Sequence, residues 1–263
     1  MEAHEYTYIQ RKVLKLTGVD LGCYKSPQVQ RRLNVYLVRS GHSTWPGFFR
    51  AIQDDPVELG KLKDYLTINV SSFFRDPEKF EHLRELILPD LLRGHPRLRV
   101  WSAGCSRGHE PYSLAIMLAE ATGPYCRHQI LASDIDHSAL AWAQAGGPYL
   151  ANEMENVPPP LFSRYFKAHD DGCYVAEYLR RRITFCQHNL LADPYESGFD
   201  LIVCRNVVIY FTAEVKERLH RRFHDALRPG GVLFTGGTEV LSKASGLGLE
   251  ALGVSFYRRS DAG

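Results

Sequence analysis

Between Val100 and Ala115 the chain reads VWSAGCSRGHEPYSLA: an apolar run, glycines at 104 and 108, and then Glu110, Pro111 and Ser113. The last three residue types open helices. The stretch is therefore expected to form a strand, a tight loop that lets backbone approach a ligand, and a helix start. A second candidate is Asp134, near the end of the apolar run QILASDID. A carboxylate in that place can accept from both hydroxyls of a ribose. Asn189 with Leu190, and Arg205 with Asn206, stand near the ends of two later runs, RRITFCQHNLL and FDLIVC. If these runs are parallel strands of one sheet, the positions gather outside its carboxyl edge, where open α/β sheets bind ligands.

A dinucleotide site would require GxGxxG with a helix start aimed at pyrophosphate. This loop offers GCSRG and then an acid, which repels phosphate and attracts a cation. S-adenosylmethionine carries an ammonium and a sulfonium and no phosphate, so the charge pattern favours it over a nicotinamide dinucleotide. Other patterns carry less. His220 and His224 are four apart on an expected helix with no third ligand in view; they read as an exposed helix face, and no metal is expected. Asp193-Pro194-Tyr195 is similar to the DPPY signature of DNA amino-methyltransferases, but it has one proline and precedes FDLIVC, so it reads as a turn. The GLG around Leu247 reads as a loop.

The elements that would hold these residues follow from the hydrophobic pattern. From Arg97 onward strand and helix textures alternate: LRVWSAG, a helix near Tyr112 to Thr122, QILASDID, the helix HSALAWAQAG, RRITFCQHNLL, FDLIVC, a helix around Val215 to Leu227, and RPGGVLFTGG. VSFYRRS could close the sheet. Such alternation predicts an α/β fold, a doubly wound and mostly parallel sheet with helices on both faces. KAHDDGCYVAEYLRRRITF alternates instead like a small antiparallel insertion, with DDG as its turn. The chain before residue 75 reads as short helices, one of them opened by Ser26-Pro27 and carrying Val29, Leu33, Tyr36 and Leu37 at helical spacing. The expected division is a helical domain with linker over 1–75, a ligand-binding domain over 76–263, and a small β-subdomain at 157–185 within it.

With 32 basic against 30 acidic residues the net charge is +2, which argues against a nucleic-acid partner. No run approaches the roughly 18 apolar residues of a membrane span, and MEAHEYTYIQ lacks the apolar core of a secretory signal. The six cysteines are dispersed without a CxxC pair and read as small buried thiols in a reducing cytoplasm. A cytoplasmic monomer without membrane insertion is expected. Against this neutral background, Leu21 to Gln53 contains basic residues and no acid. Lys25, Arg32 and Arg39 are seven apart and share a helix face, flanked by Arg31.

Four motifs, in order, carry a family resemblance: TINVSSFFRDPEKF (Thr67 to Phe80), WSAGCSRGHEPYSLA, ASDID (Ala132 to Asp136) and CRNVVIYF (Cys204 to Phe211). Together, and over nearly the whole chain, they resemble the CheR-type chemotaxis receptor glutamate O-methyltransferases. The resemblance implies a class I, Rossmann-like methyltransferase domain behind an all-helical amino-terminal domain, with S-adenosylmethionine as cofactor. It implies cofactor contacts from Asn69, Ser71, Arg75, Glu110, Asp134, Asn189, Leu190, Arg205 and Asn206. The implied partner is the cytoplasmic helical region of a methyl-accepting chemotaxis-type receptor. The chain departs from the family where Ser71 replaces threonine, and where Arg107 and His109 replace the threonine and first glutamate of STGEEP. The second change makes the mouth of the site less negative, which bears on cofactor affinity rather than identity.

Methyl transfer from a sulfonium to a glutamate carboxylate needs no general base, because a carboxyl of pKa about 4.3 is already ionised at neutral pH. The protein's task is to hold oxygen and methyl carbon in line about 3 Å apart in a drier site. Arg75 and Tyr210 are expected to position the acceptor, since a guanidinium fork and a phenol can each bond a carboxylate. Lys25, Arg31, Arg32 and Arg39 are the expected receptor-binding residues. Two competing readings are a cofactor-binding signalling module without catalysis, suggested by RGHE, and a methyltransferase of the same fold with a small acceptor. The basic helical domain speaks against the latter, because a small acceptor needs no such surface.

Overall fold

The computed structural model describes residues 1–67, 71–123, 127–237, 239–241 and 244–260. The chain forms two compact units: residues 1–69 with Tyr210–Glu217, and the remainder. In the first, α1 (Ala3–Thr17), α2 (Ser26–Arg39), α3 (Trp45–Ile52) and α4 (Pro56–Thr67) follow the expected run of short helices. Thr44 caps α3 by accepting from Gly47 N, with Pro46 in the first turn where a missing N–H costs nothing. The core is made by Ile9, Val13, Leu33, Trp45, Phe48, Phe49 and Leu62, all almost fully buried. The ring of Tyr24 meets Phe211 edge-on at 4.9 Å within the same unit.

The chain continues through α5 (Pro77–His82), a π-helical turn and α6 (Leu88–Gly94), then β1 (Arg99–Ala103), α7 (His109–Thr122), β2 (Gln129–Asp134) and α8 (His137–Ala145). Next come α9 (Pro159–Tyr165), β3 (Phe166–His169), β4 (Gly172–Val175), α10 (Glu177–Arg180), β5 (Ile183–Gln187) and β6 (Phe199–Cys204). The last elements are α11 (Ala213–Ala226), β7 (Leu227–Thr235), β8 (Leu249–Gly253) and β9 (Phe256–Arg259). The main sheet has seven strands in the order β5-β2-β1-β6-β7-β9-β8, parallel from β5 to β7, with β9 antiparallel to β7 and β8 antiparallel to β9. This is the doubly wound, mostly parallel sheet that the alternation predicts. β6, FDLIVC, is buried at every residue, as a central strand covered on both faces must be. Its Asp200 is paired with Arg228 and with the backbone N–H of Arg99.

The inserted hairpin β3–β4 is a separate two-stranded sheet, extended by a bridge between Tyr149 and Cys173. α7 begins at His109, upstream of the expected Tyr112, because Gly108 stands in the left-handed region at φ 90° and serves as its N-cap. The expected loop at GLG instead leads through a short 3₁₀ turn into β8. β8 escapes a pattern reading because only Leu249 is buried along it, as befits an edge strand.

The histidine expectation is also overturned. His220 is buried on α11 and His224 bonds Asp225, so the pair is not an exposed face; among the described residues no three metal-ligating side chains converge. Of the described cysteines, Cys105 and Cys204 are buried, whereas Cys23, Cys173 and Cys186 are half-buried; none of the five is in a disulfide, and Cys126 lies outside the described residues. Among the described residues no helix is long and apolar enough to cross a membrane.

Arg32 departs from the basic stripe. Its guanidinium donates to the Tyr65 carbonyl and lies 4.8 Å from the Tyr65 ring centre, so it ties α2 to α4. Lys25, Arg31 and Arg39 are exposed.

Candidate functional site

From β1 the chain winds outward to β2 on one side and later returns to β6 on the other. A crevice forms at the carboxyl end of a strand where the winding reverses in this way. The Gly104–Glu110 loop leaves β1, Asp134 ends β2, and Arg205 with Asn206 follows β6. Three of the positions singled out in the sequence thus come to one edge. Asn189 and Leu190 follow β5 at the same edge.

Asp134 does more than face the crevice. Its Oδ2 accepts from Ser106 N at 2.7 Å and its Oδ1 from Asp136 N at 2.9 Å, so the carboxylate fixes the loop after β1. Each oxygen keeps a second lone pair for a ligand hydroxyl. Burial raises its carboxyl above the ordinary value, and the two backbone N–H groups oppose that shift. The loop is drawn to β2 as well by Gly104 N and Cys105 N, both donating to the Ser133 carbonyl.

The loop glycines answer first to protein packing. A Cβ on Gly104 would sit 2.5 Å from Val207 Cγ2, at a φ of 86° that side chains rarely adopt. Gly104→Ala is therefore expected to cost about 1–3 kcal/mol of stability, from overpacking and left-handed strain together. Urea denaturation checks this; an unchanged midpoint would show that the turn opens freely.

Glu110, in the first turn of α7, accepts from Ser102 Oγ at 2.8 Å through Oε1 and faces Arg205 Nη1 at 3.8 Å through Oε2. Burial raises its carboxyl, while Arg205, Ser102 and, more weakly, Arg75 pull it down. Arg205 is a clamp. Its Nη2 donates to the Arg75 carbonyl at 2.8 Å and to Asp76 Oδ2 at 2.6 Å, with the guanidinium against the rings of Phe80 and Phe234, 5.3 and 4.8 Å from their centres. Phe74 N donates to Ser113 Oγ at 3.0 Å, so the FFRD turn is bound to both α7 and β6. Phe74 and Asp76 carry φ of 49° and 58°, a backbone held only by such contacts.

One buried acid was not singled out in the sequence. Glu239 collects Asn206 N at 3.1 Å, Gly236 N at 2.6 Å and Ile209 N at 3.1 Å, and so sets the turn after β6. An acid four residues beyond the end of β7 was open to the same strand-end reasoning that found Asp134. Burial pushes the Cys105 and Cys204 thiols up, helped by Asp134 and Glu110 at Cys105 and by Glu239, Glu110 and Asp134 at Cys204, which keeps both protonated.

The remaining candidates divide. Asn189 uses Oδ1 to accept from Leu191 N at 2.9 Å, and the buried Leu190 carbonyl accepts from Tyr195 Oη at 2.8 Å. Asp193 closes that turn by accepting from Asn189 N, in keeping with its reading as a turn. Ser71 is half-buried, and Asn69 lies outside the described residues. Tyr210 belongs to the first unit, where its carbonyl accepts from Lys25 N.

The departures at Arg107 and His109 are absorbed by packing. His109 is 1% exposed and bonds Glu153 at 3.0 Å beside the rings of Phe73 and Tyr149. The Arg107 guanidinium lies over the Trp142 ring. Neither side chain neutralises Glu110.

The donor set fits a cation that also carries a diol. Two half-buried acids stand at this edge, Asp134 at the end of β2 and Glu110 in the first turn of α7 beyond β1, and the nearby guanidinium of Arg205 is already bonded to Asp76 and to backbone. Residues 69–249 match the family described as CheR methyltransferase, SAM binding domain, and residues 4–67 match CheR methyltransferase, all-alpha domain. The chain is 42% identical over 255 residues to a chemotaxis protein methyltransferase of Listeria monocytogenes, covering 96% of each chain. It is 38% identical over 239 residues to chemotaxis protein methyltransferase 1 of Pseudomonas aeruginosa, covering 87% of each.

Proposed function

We propose, for a chain that belongs to the CheR methyltransferase family, that its acceptors are glutamate side chains of methyl-accepting chemotaxis-type receptors. It is a methyltransferase of chemotaxis whose cofactor is S-adenosylmethionine. The observation that carries the finer reading is the crevice acid Glu110, kept beside an Arg205 that also holds the Arg75 turn.

The cofactor, when bound, supplies an electrophilic methyl group. Asp134 would take the ribose hydroxyls and Glu110 would face the positive end, with Asn189, Leu190 and Asn206 closing the rest. Arg75 would orient the acceptor carboxylate from a turn whose carbonyl is fixed at 2.8 Å by Arg205. No residue has to remove a proton, because the acceptor is already ionised.

The test is to incubate the protein with labelled S-adenosylmethionine and receptor-bearing membranes from its own organism. Base-labile label on receptor bands is expected, since a glutamyl methyl ester hydrolyses in alkali. Label that survives alkali would overturn the assignment.

Cofactor binding should depend on pH with a definite sign. The Glu110 and Asp134 carboxyls are both raised by burial, so in mild acid part of each is protonated. A bound cation favours the ionised forms, so binding releases protons there. Affinity is thus full above the raised values and falls as pH drops through them. Calorimetry in two buffers of different ionisation heat would detect the release. Affinity that stays constant down to about pH 4 would mean that neither acid faces the cation.

The helical unit would meet the acidic receptor through Lys25, Arg31 and Arg39, with Arg32 contributing from beside Tyr65. Reversing the exposed Arg31 and Arg39 to glutamate should weaken receptor binding and flatten its salt dependence, because such contacts are screened over about 8 Å at physiological salt. Cofactor affinity should not change. Normal methylation by this variant at low and high salt alike would reduce the stripe to a solvated face.

A further inference from the structure

The opposite edge of the sheet carries a basic groove that the methyl-transfer chemistry does not use. We infer that it is a second ligand site, for a phosphorylated anion of nucleotide size. The groove is about 800 Å³, lined by Arg99 of β1, Gln129 to Leu131 of β2, Thr184 of β5 and Phe199 of β6. Ligand sites typically span about 300–1,000 Å³. It lies at the amino ends of strands whose carboxyl ends hold Glu110 and Asp134, roughly 16 Å away along β1.

Its charge is one-sided. Arg127, Arg181 and Arg182 join Arg99 along the lining, against the single acid Glu196, a formal +3 within a chain whose total is +2. Arg181 also pairs with Glu177, just outside the groove. Among the described residues no carboxylate pairs with the exposed Arg127. Guanidiniums gathered in one concave wall repel one another, and an anion relieves that repulsion.

The wall is held firmly. The Arg99 guanidinium stacks 4.5 Å from the Phe199 ring centre and bonds Ser197 and Glu196. His128 Nδ1 accepts from Leu98 N at 3.0 Å, and its Nε2 meets Thr122 Oγ1 at 2.9 Å. Burial and the nearby Arg182 lower its pKa, so His128 stays neutral. The buried Asp200 behind the wall is already bonded to Arg228 and to Arg99 N. Arginine forks suit phosphate oxygens, and the half-exposed ring of Tyr178, 6.0 Å from Arg182, offers a face for a base. The ring beside the guanidiniums favours a nucleotide over inorganic phosphate.

The test uses the full chain with the cofactor site blocked by excess S-adenosylhomocysteine, so that an adenine cannot bind there. ATP and inorganic pyrophosphate are titrated by calorimetry and thermal shift, with sodium chloride at matched ionic strength as the control. ATP is expected to bind with a Kd below about 1 mM, and pyrophosphate more weakly. Arg127→Glu with Arg182→Glu should weaken ATP at least tenfold and leave S-adenosylmethionine affinity unchanged. Arg127→Glu alone, at an exposed position, should weaken it measurably even if the double variant folds poorly. No binding of either probe, a salt response as large as theirs, or unchanged binding in Arg127→Glu would overturn the site. Pyrophosphate binding as tightly as ATP would overturn the nucleotide assignment.

Discussion

Asp134→Ala is expected to weaken S-adenosylmethionine binding roughly 100-fold, because the variant removes a charged acceptor from two hydroxyls at about 1.5 kcal/mol or more each. The structure adds a second effect. Asp134 also holds Ser106 N and Asp136 N, so the alanine variant frees the loop that carries Arg107 and leads into α7. Asp134→Asn separates the two. An amide oxygen can still serve one backbone N–H, so much of the loop's order should survive, while its neutral and partly donating head is a poor partner for the diol. Both variants should therefore lose affinity by calorimetry, and the asparagine variant should unfold closer to wild type in urea. Wild-type affinity in both would mean that the ribose lies elsewhere.

The largest loss of stability should come from Arg205→Ala. The side chain is 2% exposed and serves Asp76, the Arg75 carbonyl and Glu110 together. Asp76 is 46% exposed and can return to water, which discounts its share. Glu110 cannot, and breaking a buried pair typically costs about 3–5 kcal/mol; about 3 kcal/mol is expected here. Arg205→Lys should recover only part of this, since an ammonium cannot fork between a carbonyl and a carboxylate.

The pH dependence of that loss has a definite sign. Burial raises the folded-state carboxyl of Glu110 above its unfolded value, and Arg205 is the first group opposing the rise. Without Arg205 the folded value climbs further, so keeping Glu110 ionised costs more at neutral pH than in acid. The deficit of the variant against wild type should be largest near pH 7 and shrink as pH falls through the raised value. A deficit that does not change between neutral and mildly acidic pH would mean that Glu110 is not Arg205's main partner.

Much of the site could be read from the sequence because its signals are local. Glu110 and Asp134 stand within a few residues of apolar runs that become β1 and β2, and alternation with helices was enough to place both at one edge. The Ser26-Pro27 signal is equally local and marks the start of α2, although Lys25 is the N-cap and Ser26 is already the first helical residue. β8 was missed because an edge strand buries too little to leave a period.

The polar pairings were decided only by the tertiary structure. Arg205 finds Asp76 across 129 positions, His109 finds Glu153 across 44, and both Arg32–Tyr65 and Asn206–Glu239 span 33. These pairings changed the meaning of residues already singled out: Arg32 became an internal tie, Arg205 a clamp on the Arg75 turn, and His109 a buried partner rather than a lost acid at the mouth. A residue's tendency to enter a helix, strand or turn depends on neighbours a few positions away, so it is written in the sequence. Which carbonyl or carboxylate a buried side chain will meet depends on where distant backbone arrives, and an unpaired buried group costs enough that it takes whichever partner the packing brings.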